Sequence, residues 1–289
     1  MPPTIQPQTP MNAPIPFVPD RFHEAAPHYL SGRPAYSPAL IRRVAQMRGL
    51  DGTQRLLDLG CGPGQLSLAF ASSVANAVAI DPEPAMLAIA AGLGIGLAPN
   101  IEYRQGSSYD LSGELGRFHL TVIGRAFHWM DRADAIARLD ALTVDGGAIA
   151  LFQTSQLDDP LHPWAAQYRT LLREYANDSP AAQLRKSADW ESHDDVLARS
   201  TFSAVERVSV VERRRVHATQ LRARPQSMSS LSRERLGDKL DALLAGVDAL
   251  VAEHAHDGWL VERVESTATL ATRPLPAASI SGAGALARA

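Results

Sequence analysis

Apolar positions along the first half of the chain fall into two alternating patterns. Short, nearly continuous apolar runs are each followed by a longer stretch with helical spacing, and the pair repeats. The runs predict strands at 55–60, 77–81, 101–105, 118–124 and 147–153, with helices at about 38–48, 64–73, 83–92 and 132–142. Ser37-Pro38 supplies an N-cap and first-turn pair for the first of these helices. The run Gly92-Leu-Gly-Ile-Gly96 is expected to end the helix that begins near 83. After Gln153 the pattern changes. A long helix at about 162–176 carries Trp164, Tyr168, Leu171, Leu172 and Tyr175 on one stripe. A strand at 205–216, a helical region at 231–255 and a last strand at 260–272 follow. Alternating strands and helices imply an α/β fold with a mostly parallel sheet covered on both faces. Ligands of such sheets lie beyond the carboxyl ends of the strands, so the segments that follow strands are where a site is expected.

The first strand runs into Asp58-Leu-Gly60-Cys61-Gly62-Pro-Gly64, and Gln65 opens the next helix. Three glycines at alternate positions allow a sharp turn and bare main chain against a ligand. A dinucleotide fingerprint, G-x-G-x-x-G, would need glycine at 65, where Gln65 stands. Asp58 before the turn repels a phosphate and welcomes an ammonium group. A ligand with a cationic amino-acid end and an adenosine end, such as S-adenosylmethionine (SAM), therefore fits better than NAD. Asp81 closes the next strand, 81 − 60 = 21 residues after Gly60. That is near the spacing of about 20 expected for a carboxylate that grips ribose hydroxyls, in either nucleotide. Ser107-Ser108 and Arg125–Trp129 follow the third and fourth strands, so four segments converge on one edge.

Three stretches carry a resemblance to a known family. Asp58–Gly64 with Ala79-Ile-Asp81-Pro82-Glu-Pro-Ala-Met86-Leu resembles class I SAM-dependent methyltransferases, of the small-molecule branch that includes the ubiquinone/menaquinone and trans-aconitate enzymes. Tyr29-Leu-Ser-Gly-Arg33-Pro34-Ala-Tyr36-Ser-Pro38 is similar to that branch's N-terminal Y-x-x-x-R-P-x-Y-P segment, and Ala126-Phe127-His128-Trp129-Met-Asp131 to its H-W segment. The likeness covers about residues 20–155. It implies a Rossmann-like, seven-stranded, mostly parallel sheet with helices on both faces, an antiparallel last strand, an N-terminal lid and a helical cap insertion. It also implies SAM as methyl donor and S-adenosylhomocysteine as product. The cofactor residues it implies are Asp58, Gly60, Cys61, Gly62, Gly64 and Gln65 in the turn, with Asp81, Pro82 and Met86 after the second strand. Ser107, Ser108, Arg125, Arg33 and Tyr36 complete that set. Arg33 would pair with the methionine carboxylate from the lid, where Tyr29 or Tyr36 would line the acceptor side. The family often has an acidic residue after the third strand; here Ser108 and Tyr109 stand first.

Methyl transfer from a sulfonium is an in-line displacement that depends chiefly on alignment, worth about 7–11 kcal/mol of barrier. A base is needed only where the nucleophile carries a proton. His128, after the fourth strand, is the candidate base, and Tyr29 the second catalytic candidate; the competing reading has His128-Trp129 packing the turn. Phe127, Trp129, His23, Trp164 and Tyr168 are candidate acceptor contacts. An aromatic stripe such as Trp164/Tyr168 is more often core, and His23 more often an exposed residue. No metal is expected, since His193, His217, His254 and His256 lack ligand spacing.

The 289 residues carry a net charge of −3, which argues against a nucleic-acid partner. No apolar run reaches membrane-spanning length. Cys61 is the only cysteine, which excludes an internal disulfide and points to a reducing cytoplasm. The expected organisation is a disordered proline-rich arm at 1–19, a SAM-binding core with lid at 20–155, cap helices and edge strands at 156–273, and a disordered tail at 274–289. The expected activity is methylation of an O, N or C atom of a small molecule, plausibly a specialised natural-product metabolite. The alternatives are a SAM-binding regulatory or non-catalytic protein and an NAD-dependent oxidoreductase, which the glycine spacing disfavours. Oligomeric state and acceptor identity stay open.

Overall fold

The computed structural model describes residues 17–18, 20–176, 183–188 and 190–275. The arm expected at 1–19 and the tail expected at 274–289 lie outside the described residues, apart from 17–18, 274 and 275.

Strands β1 (Arg55–Leu59), β2 (Asn76–Asp81), β3 (Ile101–Gln105), β4 (Phe118–Gly124), β5 (Thr143–Leu157), β6 (Ala204–His217) and β7 (Trp259–Thr272) form one sheet of order β3-β2-β1-β4-β5-β7-β6. Neighbours from β3 to β5 pair in parallel, and β7 runs antiparallel to both β5 and β6. Successive residues of a strand face opposite sides. Leu56 accordingly joins one core with Tyr36, Leu40, Val44 and Phe70, while Leu57 joins the other with Phe118, Ile136, Leu139 and Phe202. Burial on both faces explains why these strands read as continuous apolar runs. Strand β5 is longer than expected because β7 pairs with it from Ala148 to Leu157.

Helices α1 (Ala26–Gly32), α2 (Pro38–Met47), α3 (Gln65–Phe70), α4 (Pro84–Gly94) and α5 (Arg132–Leu142) belong to the first half of the chain. Helix α4 runs through Gly92 and ends at Gly94, two residues past the expected stop. Glycine inside a helix costs only about 1 kcal/mol, and a Cβ on Gly94 would lie 3.1 Å from the Tyr103 hydroxyl that packs there.

In the second half, α6 (Trp164–Ala176), α7 (His193–Ala198), α8 (Ala218–Gln226), α9 (Arg233–Leu236) and α10 (Lys239–His254) form a cap. Its core gathers Trp164, Tyr168, Leu221, Leu243 and Val247. Trp164 Nε1 donates to the Val261 carbonyl at 2.9 Å, and the Tyr168 hydroxyl to the Leu221 carbonyl at 2.8 Å. The stripe Trp164/Tyr168, expected as acceptor contacts, is thus corrected to cap core: both polar tips are spent on backbone. Helical spacing shows that a face is buried but not what buries it.

A buried ion pair joins the cap to β7, and its arginine also bonds the lid helix. Arg224 of α8 donates Nη1 and Nη2 to the Glu262 carboxylate of β7 at 2.9 and 3.2 Å, and Nε to the Gly32 carbonyl of α1 at 3.2 Å. Helix α1 lies so close to α8 that a Cβ on Gly32 would sit 2.7 Å from the Ala223 carbonyl oxygen. Removing one partner of a buried pair leaves a charge uncompensated, at a cost of about 3–5 kcal/mol. Glu262→Ala is expected to lower unfolding free energy by about that amount in urea titrations; a loss under about 1 kcal/mol, the scale of an exposed pair, would show that the pair does not hold lid to cap.

Candidate functional site

The turn after β1 holds Gly60, Gly62 and Gly64 at φ of 69°, 53° and 75°, the left-handed region that glycine tolerates without strain. A Cβ on Gly60 would lie 2.6 Å from the Ala126 Cβ, so the turns after β1 and β4 touch. The Gly62 amide donates to Asp81 Oδ2 at 2.7 Å, and the Glu83 amide to Asp81 Oδ1 at 3.0 Å. Two backbone donors thus aim the carboxylate along the strand ends. Burial nevertheless raises the Asp81 carboxyl to about 6.

Asp58 sits beneath the turn, 1% exposed. Its Oδ2 accepts from the Ser67 amide at 2.9 Å and from the Ser67 hydroxyl. Its Oδ1 is buried with no hydrogen-bond partner among the described residues. Burial pushes this carboxyl up to about 7, against the pull of the two Ser67 bonds. A half-satisfied buried carboxylate beside exposed main chain suits a cationic group. The other turn residues support the cradle from behind. Cys61 and Met86 are buried, burial raises the Cys61 thiol, and the Gln65 carboxamide accepts from Arg125 Nη2 at 2.7 Å.

Two cavities open at this edge and share Phe22, Ala126 and Trp129. The smaller, about 80 Å³, is a slot along Gly60, Asp81, Pro82, Ser107 and Ser108, roofed by Phe17, Val18 and Phe22. Asp110, the acid nearest the position where the resembling family often has one, is folded back. Its Oδ2 accepts from the amide and the hydroxyl of Ser107, both at 2.7 Å, closing a capping box. Ser107 and Ser108, not a carboxylate, therefore face the slot.

The larger cavity, about 650 Å³, lies between the sheet edge and the cap. The lid contributes Tyr29 and Arg33, the turn after β4 contributes Arg125, Phe127, His128 and Trp129, and β5 contributes Gln153 and Thr154. Arg125 holds a left-handed φ of 57°, uncommon for a residue with a side chain. Its guanidinium donates to the Pro34 carbonyl at 3.0 Å and to Gln65, and lies 4.5 Å from the Tyr36 ring centroid. Tyr36 itself is packed edge-on against Phe152 in the core, so it holds Arg125 rather than facing the cavity. Arg33 donates to the Ser227 carbonyl at 3.1 and 3.3 Å, which ties the lid to the end of α8. His23, an expected acceptor contact, is corrected to a surface residue: its side chain is 72% exposed and lies 3.4 Å from Glu83 Oε1.

His128 packs against Trp129 with ring centroids 4.5 Å apart and planes tilted by 47°, and lies 6.4 Å from His193 in near-parallel orientation. Burial, then the charge of Arg185 and further cationic neighbours, pulls the His128 imidazole well below its usual range. It is therefore neutral at ordinary pH, with a free lone pair but weakened basicity. His193 is depressed to about 4 by burial and by Arg132, which lies 3.2 Å from its Nδ1. Arg185, Trp190, Ser192, His193, Asp194 and Arg207 line this cavity without having been singled out in the sequence for it. They stand on short cap segments and on an edge strand, with no motif of their own; the dense basic run at 207–215 was the one available signal. Among the described residues no group of three or more His, Cys, Asp or Glu side chains is placed to hold a metal ion. None of the described helices is long and apolar enough to cross a membrane.

Residues 56–147 match a family model described as a methyltransferase domain. An uncharacterised methyltransferase of Schizosaccharomyces pombe is 24% identical over 66% of this chain and 81% of its own length. A ubiquinone biosynthesis O-methyltransferase of Pseudomonas aeruginosa is 32% identical over 40% of this chain and half of its own length. A SAM-dependent methyltransferase of Geobacter sulfurreducens, solved with S-adenosylhomocysteine, superposes with a TM-score of 0.53 at 15% identity, over 89% of this chain and 99% of that one, a likeness of fold.

Asp58 generates a pH prediction. Its carboxyl titrates near 3.9 when unfolded and near 7 when folded, so the folded state holds a proton that the unfolded state has released. The resulting stabilisation is complete at low pH and is lost as pH rises toward 7, at up to about 1.4 kcal/mol per pH unit. In the ligand-free protein, urea unfolding between pH 5 and 7 is expected to fall more steeply for wild type than for Asp58→Asn. Equal slopes would mean that Asp58 is ionised throughout.

Proposed function

The chain carries a methyltransferase domain on a class I SAM-dependent fold, and from that premise we propose that it transfers a methyl group from SAM to a nucleophilic O, N or C atom of a small molecule. The observation that carries this reading is the junction of a slot and a cavity across Ala126 and Trp129, the arrangement that bringing a donor and an acceptor together requires. The donor's fit is supported by the orphaned Asp58 Oδ1 for an ammonium group and by the Gly60–Gly64 main chain. Asp81 is placed for ribose hydroxyls, with Ser107 and Ser108 beside them in the same slot. Bound there, SAM supplies a methyl group already activated by the positive sulfonium.

The remaining work falls to the protein. Phe17, Val18 and Phe22 roof the slot against water. Arg125, fixed by Gln65 and Pro34, and Arg33, fixed by Ser227, present cationic surface where the lid meets the cavity. Arg33 is the candidate partner of the donor's carboxylate. Tyr29 lies near both cations, its ring centroid 5.6 and 5.7 Å from the guanidinium carbons, and is the candidate for orienting the acceptor. His128, unprotonated at ordinary pH, is the candidate base for an acceptor that must lose a proton. The apolar part of the wall (Phe127, Trp129, Leu151, Trp190) suits a partly apolar, specialised metabolite. A cavity of about 650 Å³ with a neutral histidine weighs against a purely regulatory SAM-binding role. The single buried Cys61 supports a reducing, cytoplasmic setting.

Two variants separate donor binding from chemistry. Asp81→Ala is expected to abolish most of the thermal stabilisation given by S-adenosylhomocysteine; a full shift in the variant refutes the ribose assignment. His128→Ala is expected to keep that stabilisation while methyl transfer from labelled SAM to a panel of phenols and amines falls by about 10²–10⁴-fold. Unchanged turnover would reduce His128 to a packing residue.

A further inference from the structure

The larger cavity is unusually cationic for an apolar-walled space. Arg33, Arg125, Arg185 and Arg207 line it, against the single carboxylate of Asp194. Three of the four guanidinium groups have hydrogen-bond or ion-pair partners, although Arg125 Nε, like Arg185 Nη1, is buried without one among the described residues. Arg33 is held by the Ser227 carbonyl, Arg125 by Pro34 and Gln65, and Arg207 by an ion pair with Asp194. Arg185 is different. Its guanidinium carbon lies 5.3 Å from the Trp129 ring centroid, over the floor of the cavity. Its Nη1 is buried without a hydrogen-bond partner among the described residues. A buried donor on a cation that lacks an acceptor is costly, and an oxyanion is the group that removes the cost with charge-assisted bonds.

We propose that the acceptor carries an oxyanion, a carboxylate or a phosphate, which Arg185 binds above Trp129 while the atom to be methylated faces His128. Trp129 fixes the scale of such a molecule. Imidazole and guanidinium lie 4.5 and 5.3 Å from the same indole centroid, so less than about 10 Å separates them, a span that a molecule built on one or two aromatic rings can bridge. Arg185 also depresses the His128 imidazole, which places the two groups in electrical contact across that space. An oxyanion on Arg185 would shield this charge and make His128 a better base, so acceptor binding and base strength are coupled. This inference rests on the cavity being the acceptor site of a methyltransferase, and it names the acceptor's chemical class.

The test is titration of the full chain, saturated with S-adenosylhomocysteine, with 2-naphthoate, 2-naphthyl phosphate and the uncharged 2-naphthamide. At least one anion is expected to bind about tenfold or more tightly than the amide, and which anion wins distinguishes carboxylate from phosphate. Arg185→Met is expected to erase the preference and Arg185→Lys to retain part of it. Arg207→Met, whose charge Asp194 already balances, is expected to change the preference less than about threefold. S-adenosylhomocysteine binding measured on each variant controls for folding. If wild type binds S-adenosylhomocysteine but shows no preference for either anion, or if the preference survives in Arg185→Met, the oxyanion site is refuted and the methyltransferase reading stands. If S-adenosylhomocysteine itself does not bind, that underlying reading fails first.

Discussion

A buried carboxylate with one unmatched oxygen constrains everything around it. Asp58 lies under a turn whose three glycines have left-handed backbones, and only one of its two oxygens has protein partners. Burial on this scale favours the protonated form unless a cation arrives. The unmatched oxygen is the proposed receptor for the donor's ammonium group. Around it the strand ends are arranged so that main chain, Asp81 and the two serines face one slot. The sheet order, which reverses direction between β1 and β4, opens a crevice at that point.

The second half of the chain walls one side of this crevice. The Arg224–Glu262 pair binds the lid helix to the cap and to β7, and Arg33 adds a second tie at Ser227. Arg125 connects the two halves of the site. Its left-handed backbone turns the side chain toward Gln65 at the glycine turn, while the residues that follow it, through Trp129, floor the acceptor cavity. The same short segment therefore lines both the slot and the larger cavity.

The donor side was legible in the sequence because its determinants are local. Glycine spacing, the acid before the turn and the acid closing the next strand all sit within a few dozen residues, and each has a direct physical reading. The central strands and the longer helices were legible for a similar reason, since they bury continuous apolar runs or faces. The acceptor side was not. Arg185, His193 and Arg207 reach the cavity from distant stretches through cap packing, which leaves no spacing to detect. Trp164 and Tyr168 show the converse error: their periodicity announces burial, and the cap core rather than a ligand supplies it. His23 was near the lid in sequence but turns outward, to Glu83. The helices α1, α7 and α8 are too short for periodicity to mark, and tertiary contacts alone hold them in place.

The claim that the glycine turn, Asp58 and Asp81 form a cradle for a cationic amino-acid nucleoside is tested most directly by calorimetric titration of the protein with S-adenosylhomocysteine and, separately, with NAD. Saturable binding of S-adenosylhomocysteine with no heat from NAD at the same concentrations is the result expected. Binding of NAD without binding of S-adenosylhomocysteine would contradict the account at its centre.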